Sequence, residues 1–183
     1  MVVKRILLVL TAISLLLVST TSVSAQENTV QPSPTPIQYI SYDLAFPGML
    51  PDHPLYKLKV LRDKIQIQLI ADPEEKIEFY LRLADKGMLA AAMLVDKQNI
   101  PLAQTTALKA EHNITLLINE LFRAERAPSA NLIERLKTAS LKHQEVLSSL
   151  LPRVSENERT SFETVIGFSK RNLQSVEDYL NER

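Results

Sequence analysis

The sequence predicts an all-α protein: an up-down antiparallel bundle of about five helices, built on a long helical hairpin and preceded by a signal peptide and a Pro-rich tether. Three observations predict it. The 183 residues include ten prolines and only three glycines, and the last four prolines, Pro73, Pro101, Pro128 and Pro152, are 28, 27 and 24 residues apart. Proline costs about 3 kcal/mol inside a helix and little at its first turn, so prolines at that spacing in a Gly-poor chain mark helix boundaries. Between them, apolar residues recur every three or four positions along one side of each segment.

The first element is the amino-terminal run. Lys4 and Arg5 precede an apolar stretch from Ile6 to Val18, and small polar residues lead to Val23-Ser24-Ala25. This is the pattern of a secretory signal peptide over residues 1–25, with cleavage after Ala25 and a mature start at Gln26. Thirteen apolar residues would span only about 20 Å of the roughly 30 Å hydrocarbon core. An uncleaved anchor would therefore have to tilt and recruit Ser19 to Val23, and membrane contact is expected only in that case. Residues 26–39 alternate proline from Pro32 to Pro36 with little apolar bulk, which predicts an extended, solvated tether before a bundle domain over 40–183. The chain has no cysteine, hence neither a lipid-modified Cys nor a disulfide, although export would permit one. Loss of Lys4 and Arg5 leaves 19 basic and 21 acidic residues, a net charge of −2, and no nucleic-acid partner is expected.

The first helix is placed from about Pro54 to Ala71, with Leu55, Leu58, Leu61, Ile65 and Leu69 as its core stripe and Asp52 as its cap. Its centre, "KIQIQL", also alternates like a strand, but no turn residues flank it and no second strand exists to pair with it. The second helix opens at "DPEEK": Asp72 is the N-cap, Pro73 takes N1, and Glu75 at N3 lies near the positive end of the helix dipole. Ile77, Leu81, Ala84, Met88, Ala91 and Leu94 carry its stripe to about Gln98. Asn99-Ile100-Pro101 reads as the turn. The same period then resumes through Ala103, Ala107, Ala110, Ile114 and Leu117 to about Glu125. Two helices of about 25 residues with so short a joint fold into an antiparallel hairpin about 37 Å long. A fourth helix runs from about Ser129 to Leu151. A fifth opens at Ser155 with the capping box "SENE", whose N3 acid is Glu158.

Read together, Pro51, Pro54, Leu55, Tyr56, Leu58 and Lys59, then Asp72, Pro73, Glu74 and Lys76, then Leu81, Leu83, Ala84 and Asp85 form a motif series. It resembles a bacterial extracytoplasmic family known only as a helical domain of unknown function, over about residues 50–126. The resemblance implies location and shape, and no activity. The chain departs from the family pattern in "DKGMLAAAMLV", where Gly87 and Ala90 stand at positions expected to carry an Arg and a Glu.

The search for chemistry leaves little. No Glu-x-x-His or His-x-x-x-His pair offers metal ligands on one helix face. His143 falls on the apolar stripe of the fourth helix and is read as a satisfied core histidine, while His112 sits toward a polar flank. His53 beside Asp52 is the weak metal candidate. No nucleophile motif or phosphate-cradling glycine loop occurs, and the carboxylates are assigned to solvated helix faces and caps. Neither catalytic residues nor a cofactor are expected, so the protein is read as not an enzyme.

Aromatics cluster before and at the first helix, and Tyr39, Tyr42, Phe46 and Tyr56 are the partner-binding candidates; the bland alternative is that their segment plugs one end of the bundle. The expectation is an exported interaction or structural module of the cell envelope, contacting a protein partner whose identity, like the oligomeric state, the sequence leaves open. A second expectation is a chaperone-like or stress- or metal-sensing envelope protein using an apolar groove of the hairpin, suggested by "MLAAAMLV".

Overall fold

The caps at Asp72 and Ser155 open helices where the sequence places them. The structure, a computed structural model, describes residues 39–182, so the signal peptide expected over residues 1–25 and the tether as far as residue 38 lie outside the described residues. Within them are α1 (Tyr56–Leu69), α2 (Pro73–Asp96), α3 (Ile100–Arg123), α4 (Ala130–Leu150), a 3-10 turn (Leu151–Arg153) and α5 (Glu156–Asn181), with no strand among the described residues. Asp72 Oδ2 accepts the Glu75 N–H at 3.1 Å, and the Glu158 carboxylate accepts the Ser155 N–H at 2.9 Å. Both caps were legible as short motifs because each satisfies a donor that the helix itself cannot.

The hairpin turn sits slightly earlier than its proline suggests. Ile100 and Pro101 already belong to α3, and the reversal is made by Lys97, Gln98 and Asn99. Asn99 N–H donates to Leu94 O and Gln98 N–H to Val95 O, each at 2.9 Å, which is a Schellman closure. Its left-handed position is held by Gln98, φ 59°, rather than by glycine. Gly87 does a different job: a Cβ built on it would lie 2.9 Å from Ala110 Cβ, so its missing side chain lets α2 and α3 approach closely. Gly167 faces open space apart from Arg171 and is simply tolerated.

Helices α2 to α5 form the bundle. α2 packs against α3 and α4, and α5 against α4 and α3, so α2 and α5 occupy one diagonal of the square. Ion pairs between Glu78 and Arg135 and between Lys76 and Glu120, at 2.9 and 3.0 Å, tie α2 to α4 and to α3 on the surface. The core divides into two apolar clusters. One gathers Ile77, Leu81, Ile114, Leu117, Leu132 and Val176; the other Met88, Leu94, Ala107, Leu147, Phe162 and Val165. The stretch Met88–Val95 belongs largely to this second cluster, with Met88, Ala91 and Leu94 wholly buried, so it is not the open client groove that its composition suggested.

The first helix is the main correction. Leu55, Leu58, Leu61, Ile65 and Leu69, expected in the core, all face solvent, with Leu58 63 % and Leu69 78 % exposed. α1 has apolar residues on two sides, and the opposite one, carrying Tyr56, Val60 and Ile67, turns toward the hairpin; only Ile67 is fully buried. At 3.6 residues per turn, the leucine stripe and the Tyr56–Val60–Ile67 side lie half a turn apart. The segment before α1 also differs from expectation. Residues 39–50 lie as an extended strap along the bundle flank rather than across its end, with Ile40 bonded to Glu145 and Lys142, Tyr42 against the first cluster and Leu44 against the second. All the described residues fall in one compact unit, Pro36–Arg183.

Candidate functional site

Between the two apolar clusters each bundle helix contributes one polar side chain. Asp85 follows Leu81 by four residues on α2, Glu111 follows Ala107 by four on α3, His143 precedes Leu147 by four on α4, and Asn172 precedes Val176 by four on α5. That spacing keeps each on the stripe that faces the core. His143 Nε2 lies 3.1 Å from Asp85 Oδ1 and Nδ1 lies 3.0 Å from Glu111 Oε1. The remaining oxygens are also met: the Tyr42 hydroxyl donates to Asp85 Oδ2 at 2.7 Å, and Asn172 Nδ2 donates to Glu111 Oε2 at 2.9 Å. Thr115 Oγ1 in turn donates to Asn172 Oδ1 at 3.1 Å.

Two carboxylates whose outer oxygens already accept bonds leave the imidazole one way to satisfy both: each ring nitrogen must donate, and His143 is an imidazolium. Burial pulls its pKa down, and His143 has no exposed surface. The hydrogen bonds that it donates to Asp85 and Glu111, with the charges of those carboxylates, outweigh that pull and raise the pKa to about 9. The ordering agrees with elementary magnitudes. Taking one ion out of water costs several kcal/mol, and each opposite charge at about 4 Å returns about 4 kcal/mol at an effective dielectric of 20. For Tyr42, burial and then the Asp85 carboxylate push the phenol well above its ordinary range, so it stays a donor.

This layer is closed to chemistry. Neither nitrogen of His143 is free to take a proton from a substrate, and no face of the ring reaches solvent. What the arrangement does is fix registry: it allows four helices and the strap to meet at one level and at no other without stranding a buried charge.

The residues singled out by sequence do not converge. Asp52 does not cap α1; its Oδ2 pairs with Lys97 Nζ at 2.6 Å, which holds its pKa down and ties the strap to the hairpin turn. His53 Nδ1 accepts the Leu55 N–H at 3.1 Å just ahead of the helix, and no side chain caps the first turn of α1. Asp52 Oδ2 is thus held by an ammonium and His53 Nδ1 by a backbone donor, and among the described residues no group of three or more His, Cys, Asp or Glu could hold a metal ion. Of the aromatic candidates, Tyr42 is spent in the central layer, Tyr39 lies exposed beneath Lys142, Phe46 is exposed, and Tyr56 sits half-buried under Lys59 at the inner face of α1.

Sequence reasoning missed Asp85 and Glu111 as core residues. The signal was present in their positions, three residues before Met88 and Ile114 on otherwise apolar stripes, as it was for His143. It also missed the groove between α1 and the α2–α3 hairpin. This cavity of about 680 Å³ is lined by Val60, Ile67, Tyr80 and Leu83, among others, and by Lys59, Lys64, Lys86 and Lys109.

Fold and site define a four-helix bundle with a buried ionic layer and an appended, outward-greasy helix. The chain belongs to the family described as Domain of unknown function (DUF5667), whose model matches residues 48–157. The match starts at Gly48, ahead of α1, and runs through α4 into the first turn of α5, further than the motif series from which the resemblance was read. Asp85, Glu111 and His143 lie inside it, Tyr42 and Asn172 outside. No curated protein and no solved structure matches the chain. No helix among the described residues is long and apolar enough to cross a membrane.

Proposed function

We propose that the protein is an exported, non-enzymatic interaction module of the bacterial cell envelope, and that it engages a protein partner through the outward face of α1. The carrying observation is the stripe Leu55, Leu58, Leu61, Ile65 and Leu69, five large apolar side chains left in water on one helix of a protein that buries its other stripes well. Exposed apolar patches on this scale mark contact sites, and an amphipathic helix offering i, i+3, i+4 and i+7 anchors is a recurrent way to fill a groove. Export is supported by the basic, apolar and small-residue pattern of residues 1–25.

The partner is a different protein with acidic flanks rather than a second copy. Lys57 and Arg62 are the cations of α1 outside the inner groove, and its single acid, Asp63, is engaged by Arg62, so two α1 helices laid face to face would set like charges together. The test is affinity capture from the cell envelope with the native protein and with a Leu58→Ser, Leu61→Ser, Ile65→Ser variant. A partner held by the native protein and lost by an equally stable variant supports the reading. Capture indifferent to the stripe, or a stripe that binds anionic vesicles and no protein, removes it.

A further inference from the structure

We infer that the groove between α1 and the α2–α3 hairpin is a binding site for a single-chain anionic amphiphile, with an acyl tail along its floor and a carboxylate or phosphate head at its basic end. It lies on the side of α1 opposite the outward stripe, so this inference and the protein-docking reading fail independently. The cavity of about 680 Å³ falls within the roughly 300–1,000 Å³ of small-molecule sites. Its lining follows α1 from Tyr56 to Gln68, so at 1.5 Å per residue it is elongated, about 18 Å long.

The two ends differ in chemistry. At the far end Ile67, Tyr80, Leu83 and Leu116 supply an apolar trough. Nearer the Gly87–Ala110 crossing, Lys86 and Lys109 flank the closest approach of α2 and α3, and Lys59 is near enough to Lys86 for the two to repel. Lys64 adds a fourth ammonium along the α1 wall.

Three of these four charges are unpaired. Asp63 is the one acid among the lining residues, and its Oδ1 is already engaged by Arg62 at 2.7 and 3.0 Å. Lys59 Nζ is occupied by the Pro47 and Met49 carbonyls at 2.7 and 3.2 Å, anchoring α1 to the strap. Lys64, Lys86 and Lys109 have no hydrogen-bond or ion-pair partner among the described residues. Three unpaired ammonium groups beside an apolar trough therefore lack what an anionic head and an alkyl tail would together provide. A cationic amphiphile would meet like charge at the same place, and a small anion would leave the trough uncovered.

The experiment is calorimetric titration of the purified protein with three probes below their micelle concentrations: laurate, dodecyl phosphate and dodecyltrimethylammonium. Saturable one-to-one binding of laurate or dodecyl phosphate, with the stronger of the two fixing the head group, and none of the cation, is expected. Lys86→Glu combined with Lys109→Glu should weaken that binding by about tenfold or more. Should the double variant unfold, Lys109→Ala alters one exposed side chain and should still weaken it by about threefold. Equal binding of the cationic probe overturns the proposal, as does affinity unchanged in a folded variant. So does a groove that takes up an acidic amphipathic peptide, or a second copy of the chain, but no anionic amphiphile.

Discussion

Deprotonating His143 should cost the fold its central charge. The residue is wholly buried between Asp85 and Glu111, and its pKa is raised from 6.5 to about 9. Because the folded value lies above the unfolded one, the associated stability is fully present below about pH 6.5 and is lost as pH rises through about 9. At about 1.4 kcal/mol per unit, this rise is worth roughly 3 kcal/mol. A domain with about 5–15 kcal/mol in total would feel that loss clearly. Urea denaturation from about pH 6 to about pH 10, run on the native protein and on His143→Gln, separates it from the titration of lysines and tyrosines common to both. At low pH the variant should be weaker by about 3–5 kcal/mol, since it leaves two buried carboxylates without a cation, and the gap should narrow from about pH 6.5 to about pH 9 and level off above that. A gap that stays constant over that range, or an imidazole resonance titrating at or below about 6.5, would refute the argument.

Four further substitutions probe the fold around the site. Tyr42→Phe strips Asp85 Oδ2 of its donor and loosens the strap, with an expected cost of about 1–3 kcal/mol in chemical denaturation and faster amide exchange over residues 39–50. Gln98→Gly relieves a left-handed side chain at the hairpin turn and should stabilise by about 1 kcal/mol, seen as a raised thermal midpoint. Gly87→Ala should destabilise despite its better helix propensity, because the new methyl would meet Ala110 at 2.9 Å; Gly167→Ala, in open space, should stabilise by up to about 1 kcal/mol. Paired melting curves for the two glycine variants give opposite signs if the close α2–α3 crossing is real.

Helix boundaries were legible because they are written locally. Asp72-Pro73-Glu74-Glu75 and Ser155 with Glu158 satisfy orphan donors within four residues, and no distant contact can cancel that need. Which face of a helix goes inside is a different matter. On α2, α3, α4 and α5 one stripe is apolar and the other polar, so the choice was forced. On α1 both faces are apolar, and the more regular one was read as core although the Tyr56–Val60–Ile67 side takes that place. The decision rests on the strap and on the Lys59 anchor to Pro47 and Met49, which no periodicity displays.

The ionic layer shows the same limit from the other side. His143 was recognisable as a core residue from its position alone. Asp85 and Glu111 were read as solvated because carboxylates usually are, and only their mutual register with His143 across α2, α3 and α4 makes burial tolerable. Close to Asp85 on α2, the packing at Gly87 lets α2 and α3 approach each other tightly.

The central functional claim is that α1 presents its leucine stripe to a partner. A photo-activatable amino acid placed at Leu61 or Ile65, with Leu141 on α4 and Phe168 on α5 as exposed apolar controls, tests it in intact envelopes. A discrete cross-linked species of one added mass is expected from both α1 positions and none from the controls. Equal labelling at all four positions, or none at Leu61 and Ile65, would contradict it.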